Sequence, residues 1–181
     1  MAAIGVLAQD GAPQSRLLVY STFSEKDPKV YSGNDTLLCD VEYLDNDSIA
    51  AVGDDRVWVV KTGKNEPEEI TYESRHLLSW TVSGDRVGVV LQNYGATDGG
   101  QLLAVDKSGK TAYTVDFTGM FRAVAPAGKE FFLMCGNEVL TMNGKGETKT
   151  KEVLPDALRI CRAFGNDALV LGLTSIERYD Y

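Results

Sequence analysis

One pattern recurs four times along the chain: a strand end, a tight polar turn and the start of an apolar strand. It is read at Tyr43–Ile49, Thr81–Val87, Ala125–Phe131 and Ala163–Leu169. The turns carry Gly, Asn and Asp, which tolerate the positive φ of hairpin turns. The anchors Ile49, Val87, Phe131 and Leu169 stand 38, 44 and 38 residues apart. A second match spans two strands and their loop. Ile4–Gln9 resembles Val87–Gln92, and Leu17–Tyr20 resembles Leu102–Val105, at offsets of 83 and 85 residues, two periods on. A period of about 40 residues is the mark of an array in which each unit is one small sheet, as in β-propeller blades.

Short runs rich in Val, Ile, Leu, Phe and Tyr, bounded by turn residues, read as strands. No segment combines a 3.6-residue period with helix caps. With the strands of a unit labelled A to D, the first unit supplies B (Ala3–Gln9), C (Arg16–Ser21) and D (Lys29–Ser32). The second supplies A (Leu37–Leu44), B (Ser48–Val52), C (Val57–Lys61) and D (Glu69–Glu73). The third has Leu77–Ser83, Val87–Gln92, Gln101–Asp106 and Ala112–Phe117. The fourth has Phe121–Pro126, Glu130–Cys135, Glu138–Met142 and Thr148–Val153. The last has A (Arg159–Phe164), B (Ala168–Leu173) and C (Ile176–Tyr179). This divides residues 1–181 into a partial blade 1–34, blades 35–74, 75–118 and 119–155, and a partial blade 156–181, all in one propeller-repeat domain. The A and B strands read as apolar on both faces, as sheets between neighbouring sheets must be. The D strands are polar and charged, which suits an exposed edge. A β-sandwich of similar strand count leaves the period unexplained.

The expected fold is therefore all-β, an incomplete propeller of three complete and two partial blades. Its leftover strands, B-C-D and A-B-C, duplicate B and C and do not merge into one blade. The chain then reads as the C-terminal part of a longer protein. Its end blades are expected to lack neighbours and to favour self-association.

The unit Val87–Phe117, with its Gly-rich loop and the hairpin Leu102–Lys110, resembles blades of an uncharacterised propeller-like domain-of-unknown-function family of Gram-positive, often gut-dwelling bacteria. The resemblance implies an extracytoplasmic propeller behind an N-terminal membrane anchor, which this sequence lacks. It brings no catalytic residues.

Lys and Arg total 18 against 26 Asp and Glu, a formal net charge of −8. That argues against nucleic acid, whose binders need cationic surface. No stretch approaches the roughly 20 apolar residues of a membrane span. Cys39, Cys135 and Cys161 are odd in number and lie in apolar runs, so they read as buried thiols. His76 is the only histidine and reads as a solvated loop residue. One histidine does not make a multi-His metal site.

Asp45-Asn46-Asp47 and Gly53-Asp54-Asp55 lack the glycine and distal glutamate of a calcium loop and read as turns. Gly95–Gly100 lacks the Lys and following helix of a phosphate cradle and reads as a flexible B–C loop. Asp40 and Glu42 share a face of an A strand and, with Arg122 and Arg162, are the acidic and basic candidates for an axial cluster. Asp106–Lys110 resembles the turn of quinoprotein blades without the Trp that follows it there. Trp58 and Trp80 read as core. No catalytic, metal or cofactor residue is assigned. The function expected is a non-catalytic binding or scaffold propeller with a protein or glycan partner. The alternative is a piece of a carbohydrate-active or quinone-dependent propeller enzyme whose site lies elsewhere.

Overall fold

A computed structural model describes residues 2–9, 12–20, 27–162 and 167–180. Among them the chain forms strands and no helix, and no helix is long and apolar enough to cross a membrane. Two compact units are distinguished: Met1–Glu73 with Lys107–Lys110, and Ser74–Asp106 with Thr111–Tyr181.

In the first unit, β1 (Ala2–Gln9), β2 (Ala12–Val19) and β3 (Lys29–Asn34) make a three-stranded antiparallel sheet. β4 (Leu38–Tyr43), β5 (Ser48–Gly53), β6 (Arg56–Lys61) and β7 (Glu68–Thr71) make a four-stranded one in chain order. Leu17 and Tyr31 of the first sheet pack with Leu38, Ala51, Trp58 and Val60 of the second. Gly33 permits this approach, because a Cβ there would lie 2.7 Å from the Trp58 ring.

In the second unit, β8 (Arg75–Ser83), β9 (Arg86–Asn93), β10 (Gly100–Asp106) and β11 (Thr111–Phe117) form one four-stranded meander. β12 (Phe121–Ala127), β13 (Glu130–Cys135), β14 (Glu138–Met142) and β15 (Thr148–Val153) form the next. β16 (Ala157–Arg162), β17 (Asp167–Gly172) and β18 (Ile176–Asp180) form a three-stranded sheet. Phe131 and Leu133 pack onto Val90, Leu102 and Ala104 of the preceding sheet. Phe132, Met134 and Val139 pack onto Ile160, Ala168 and Val170 of the following one. Gly88 plays the part of Gly33: a Cβ on it would sit 2.9 Å from the Phe131 ring.

Where the sheets follow one another, their first strands meet: β12 lies against both β8 and β16. Such crowding of first strands marks the narrow edge of stacked wedges, so A is the inner strand. Ala123, Ala125 and Ala127, buried on one face of β12, are small enough for it. Among the described residues the result is a partial β-propeller of three four-stranded and two three-stranded antiparallel sheets.

Three expectations are corrected. All of β5 and most of β9 and β13 are buried, but the A strands β4 and β8 are mostly half-buried or exposed. An inner edge has neighbours on fewer sides than the strand behind it. The last repeat anchor is one residue out of phase. Ala168 and Val170 face the core, while Leu169 and Leu171 are exposed. A one-residue slip moves every side chain to the other face. Finally, His76 lies in β8 rather than a loop, paired with Gln92 and half-buried against the Tyr94 ring at 5.2 Å. Pairing of β8 begins at Arg75, ahead of the apolar run.

Candidate functional site

The acidic turns hold the chain together. Asp54 accepts the Leu37 N–H at 2.9 Å. Asp55 accepts from the buried Thr36 hydroxyl at 3.0 Å and pairs with Arg56 at 2.6 Å. Arg56 also reaches Glu69 at 3.2 Å. Burial pushes the Asp55 carboxyl up, but the hydrogen bonds from Arg56 and Thr36 outweigh it and the net shift is downward. Asp45 accepts the Asp47 N–H at 2.8 Å and pairs with Lys107 at 3.1 Å, and both contacts lower its pKa. These carboxylates are occupied by chain donors. Among the described residues, no group of three or more His, Cys, Asp or Glu is placed to hold a metal ion.

The loop at Gly95–Gly100 is tied rather than free. Gly99 donates to the Gly119 carbonyl at 2.9 Å and accepts from the Gln92 side chain at 2.8 Å. Asp40 is half-buried and Glu42 exposed on β4 of the first unit. Arg122 is exposed on β12 of the second, and the side chain of Arg162 lies outside the described residues. Trp58 is core, whereas Trp80 is half-buried on β8.

The thiols divide. Cys135 is buried, but Cys39 and Cys161 are exposed, contrary to the reading of their apolar surroundings. Cys39 and Cys161 sit on A strands, which have an open side. Burial, and secondarily Glu138, pushes the Cys135 thiol up to about 12. Burial, then Asp54 and Asp40, raises Cys39 less. The thiolate is the reactive form. At about pH 8, near the ordinary thiol pKa, a thiol reagent is therefore expected to modify the exposed Cys39 and Cys161 and to reach the buried Cys135 only on unfolding. Mass spectrometry of timed labelling reads the difference. Native-state labelling of Cys135 at the rate of Cys161 would contradict the packing of β13.

A cleft of about 360 Å³ opens in the first unit between β2–β3 and β4–β6. Tyr20, Tyr31 and Tyr43 line it, with Lys29, Lys61 and Asp47. Tyr31 donates to the Lys64 carbonyl at 3.0 Å, which fixes its ring. The Lys29 ammonium lies 5.5 Å from that ring and also reaches the Lys64 carbonyl. The Lys61 ammonium and the Asp47 carboxylate form no ion pair among the described residues. Tyr43 stands half open to solvent at 52% exposure. A fixed aromatic face, that of Tyr31, beside the polar side chains of Lys61 and Asp47 suits recognition of a ligand. Sequence reasoning missed this site. Its tyrosines come from three separate strand regions, each of which reads simply as β-prone. The available signal was an aromatic at or near the same end of consecutive strands.

Residues 1–177 match a family described as a family of unknown function, DUF5711. The chain belongs to that family. No curated protein resembles this DUF5711 chain closely enough to match. Among solved structures, BBS1N in complex with ARL6DN is similar, with a TM-score of 0.59 at 16% identity, over 97% of this chain and 63% of that one. Hsv2 of Kluyvelomyces marxianus gives 0.63 at 12% identity, over 92% and 53%. BamB of Moraxella catarrhalis gives 0.53 at 13% identity, over 93% and 58%. BBS1N and BamB are β-propeller proteins, and the DUF5711 chain shares their fold. It spans less than two thirds of the length of each. At such identities the likeness is one of fold, and function has to be argued from the site.

Proposed function

We propose that this chain is a non-catalytic binding or scaffold propeller, displayed outside the cell as part of a larger membrane-anchored protein, and that it holds a protein partner. The observation that carries the binding reading is the tyrosine-lined cleft between β2–β3 and β4–β6. Its side chains are faces and hydrogen-bonding groups for recognition. Tyrosine supplies rigid amphipathic contact area at low entropic cost, which is why it anchors protein interfaces. Among the fold neighbours, BBS1N was crystallised in complex with another protein, ARL6DN, which supports the choice of a protein partner.

The test compares the chain with a Tyr43→Ala/Lys61→Ala double variant on peptide and glycan arrays. Both side chains lie at the cleft and not in the core, so the variant is expected to fold. The reading predicts peptide ligands whose affinity falls by about tenfold or more in the variant, the scale of an aromatic hot spot. Peptide binding that the two proteins share equally contradicts a role for the cleft. Retention of glycans alone, or their hydrolysis, contradicts the protein-binding reading.

A further inference from the structure

The turn between β14 and β15 holds the single Asn-Gly step of the sequence, Asn143-Gly144. The Asn143 side chain is fully engaged there. Its Oδ1 accepts from the Lys145 and Glu147 amides at 2.9 Å each, and its Nδ2 donates to Glu147 Oε2 at 2.7 Å. The backbone closes the same turn. The Asn143 N–H donates to the Glu147 carbonyl and the Gly146 N–H to the Asn143 carbonyl, both at 2.9 Å. Both lone pairs of the amide oxygen are used. The reversed orientation would set the NH2 group against two N–H donors.

This turn meets the preceding sheet of its own unit. Arg86 of β9 donates to the Gly144 carbonyl at 3.1 Å, and its guanidinium lies 5.8 Å from the centre of the Tyr113 ring on β11. Gly146 lies on that ring, so closely that a Cβ on it would sit 2.7 Å away. Tyr113 is only 7% exposed. The side chain of Asn143 therefore shapes a turn that clasps Arg86 and Tyr113.

An asparagine followed by glycine carries the means of its own modification. The Gly144 backbone nitrogen, giving its proton to water, bonds to Asn143 Cγ. The Cγ–Nδ2 bond breaks, and the nitrogen takes up a proton and leaves as ammonia. Water then opens the succinimide ring to aspartate or isoaspartate. The balance is one ammonia out and one water in, with nothing oxidised or reduced. Gly144 has no side chain to crowd the attack. We propose that Asn143 is a deamidation site gated by its own turn, and that its conversion releases the clasp on Arg86 and Tyr113. Bringing Cγ onto the Gly144 nitrogen breaks the three side-chain hydrogen bonds, so the reaction waits on local opening. The aspartyl product puts a carboxylate oxygen where Nδ2 stood against Glu147. Two carboxylates only accept hydrogen bonds, and like charges this close repel. The isoaspartyl product also adds a methylene to the main chain of the turn. In both, Gly144 and Gly146 leave Arg86 and Tyr113.

The test ages the folded chain and the chain in guanidinium chloride side by side in mildly alkaline buffer. Peptide mass spectrometry follows each asparagine. In denaturant Asn143 should convert faster than any other asparagine, and in the folded chain it should convert at least about tenfold more slowly than in denaturant. The consequence is read by NMR on Asn143→Asp and on the chain aged in denaturant and refolded. Both should lose the cross-peaks from the Gly146 α-protons to the Tyr113 ring. Gly144→Ala is the control. Gly144 has no positive φ, and a Cβ there would meet only the Arg86 guanidinium at 3.4 Å. This variant should keep the cross-peaks and convert far more slowly in denaturant. Three results would overturn the proposal: another asparagine converting faster in denaturant, folded chain converting as fast as unfolded, or deamidated chain that keeps the Gly146–Tyr113 cross-peaks.

Discussion

Phe131→Ala is expected to lower stability by about 3–5 kcal/mol, the range for removing a buried aromatic side chain. Phe131 is fully buried, and its ring leaves β13 to lie over Gly88 of the preceding sheet, among Val90, Leu102 and Ala104. Alanine leaves the space unfilled, because two sheets held apart by their other side chains do not collapse onto it. With total stability of a domain at about 5–15 kcal/mol, the loss is easily read as a fall in the urea midpoint. Gly88→Ala acts from the other side. Its Cβ would need to displace the ring, costing about 1–3 kcal/mol. A change below about 1 kcal/mol for Phe131→Ala would mean that these two sheets are not in contact.

Trp58→Ala is the counterpart in the first unit, again with an expected loss of about 3–5 kcal/mol. Trp58 is only 1% exposed and packs from β6 across to Gly33 on β3. Here a double-mutant cycle is the sharper reading. Gly33→Ala alone should cost about 1–3 kcal/mol, since the added Cβ meets the ring. In the Trp58→Ala background the same change should cost little, because the obstruction has gone. Coupling of this kind is expected only of residues in contact. Additive effects would place Gly33 and Trp58 apart.

Much of this was legible in the sequence, for a physical reason. A strand alternates its side chains with a period of two, and a meander needs a turn at each end. Runs such as Val87–Gln92, bounded by Gly84-Asp85 and by Asn93–Gly100, therefore mark themselves. The strand boundaries of the fourth sheet were readable almost to the residue, because Gly128, Gly136 and Asn143–Gly146 punctuate it. The D strands were readable as edges from their charge, as in Thr148–Val153.

What stayed hidden depends on which neighbour a side chain meets. Nothing local distinguishes Ala168 from Leu169 as the residue facing the core. Hydrophobicity alone favours leucine, but the smaller alanine is the one that fits against Phe132 and Met134. Cys39 and Cys161 lie in apolar runs, yet both face the open side of an A strand. His76 follows Glu73 and Ser74, which are a turn, but β8 begins one residue before it at Arg75. Tyr20, Tyr31 and Tyr43 come together only when β2–β3 and β4–β6 pack, so no linear motif announces the cleft.

The stacking of successive sheets, a large ring on one seated over a glycine of the sheet before it, underlies both the fold and the position of the tyrosine cleft. Nuclear Overhauser spectroscopy on isotope-labelled protein tests it most directly. The account predicts cross-peaks from the Gly88 α-protons to the Phe131 ring protons, and from the Gly33 α-protons to the Trp58 indole. Absence of both sets, with Phe131 or Trp58 instead contacting strands of its own sheet alone, would contradict it.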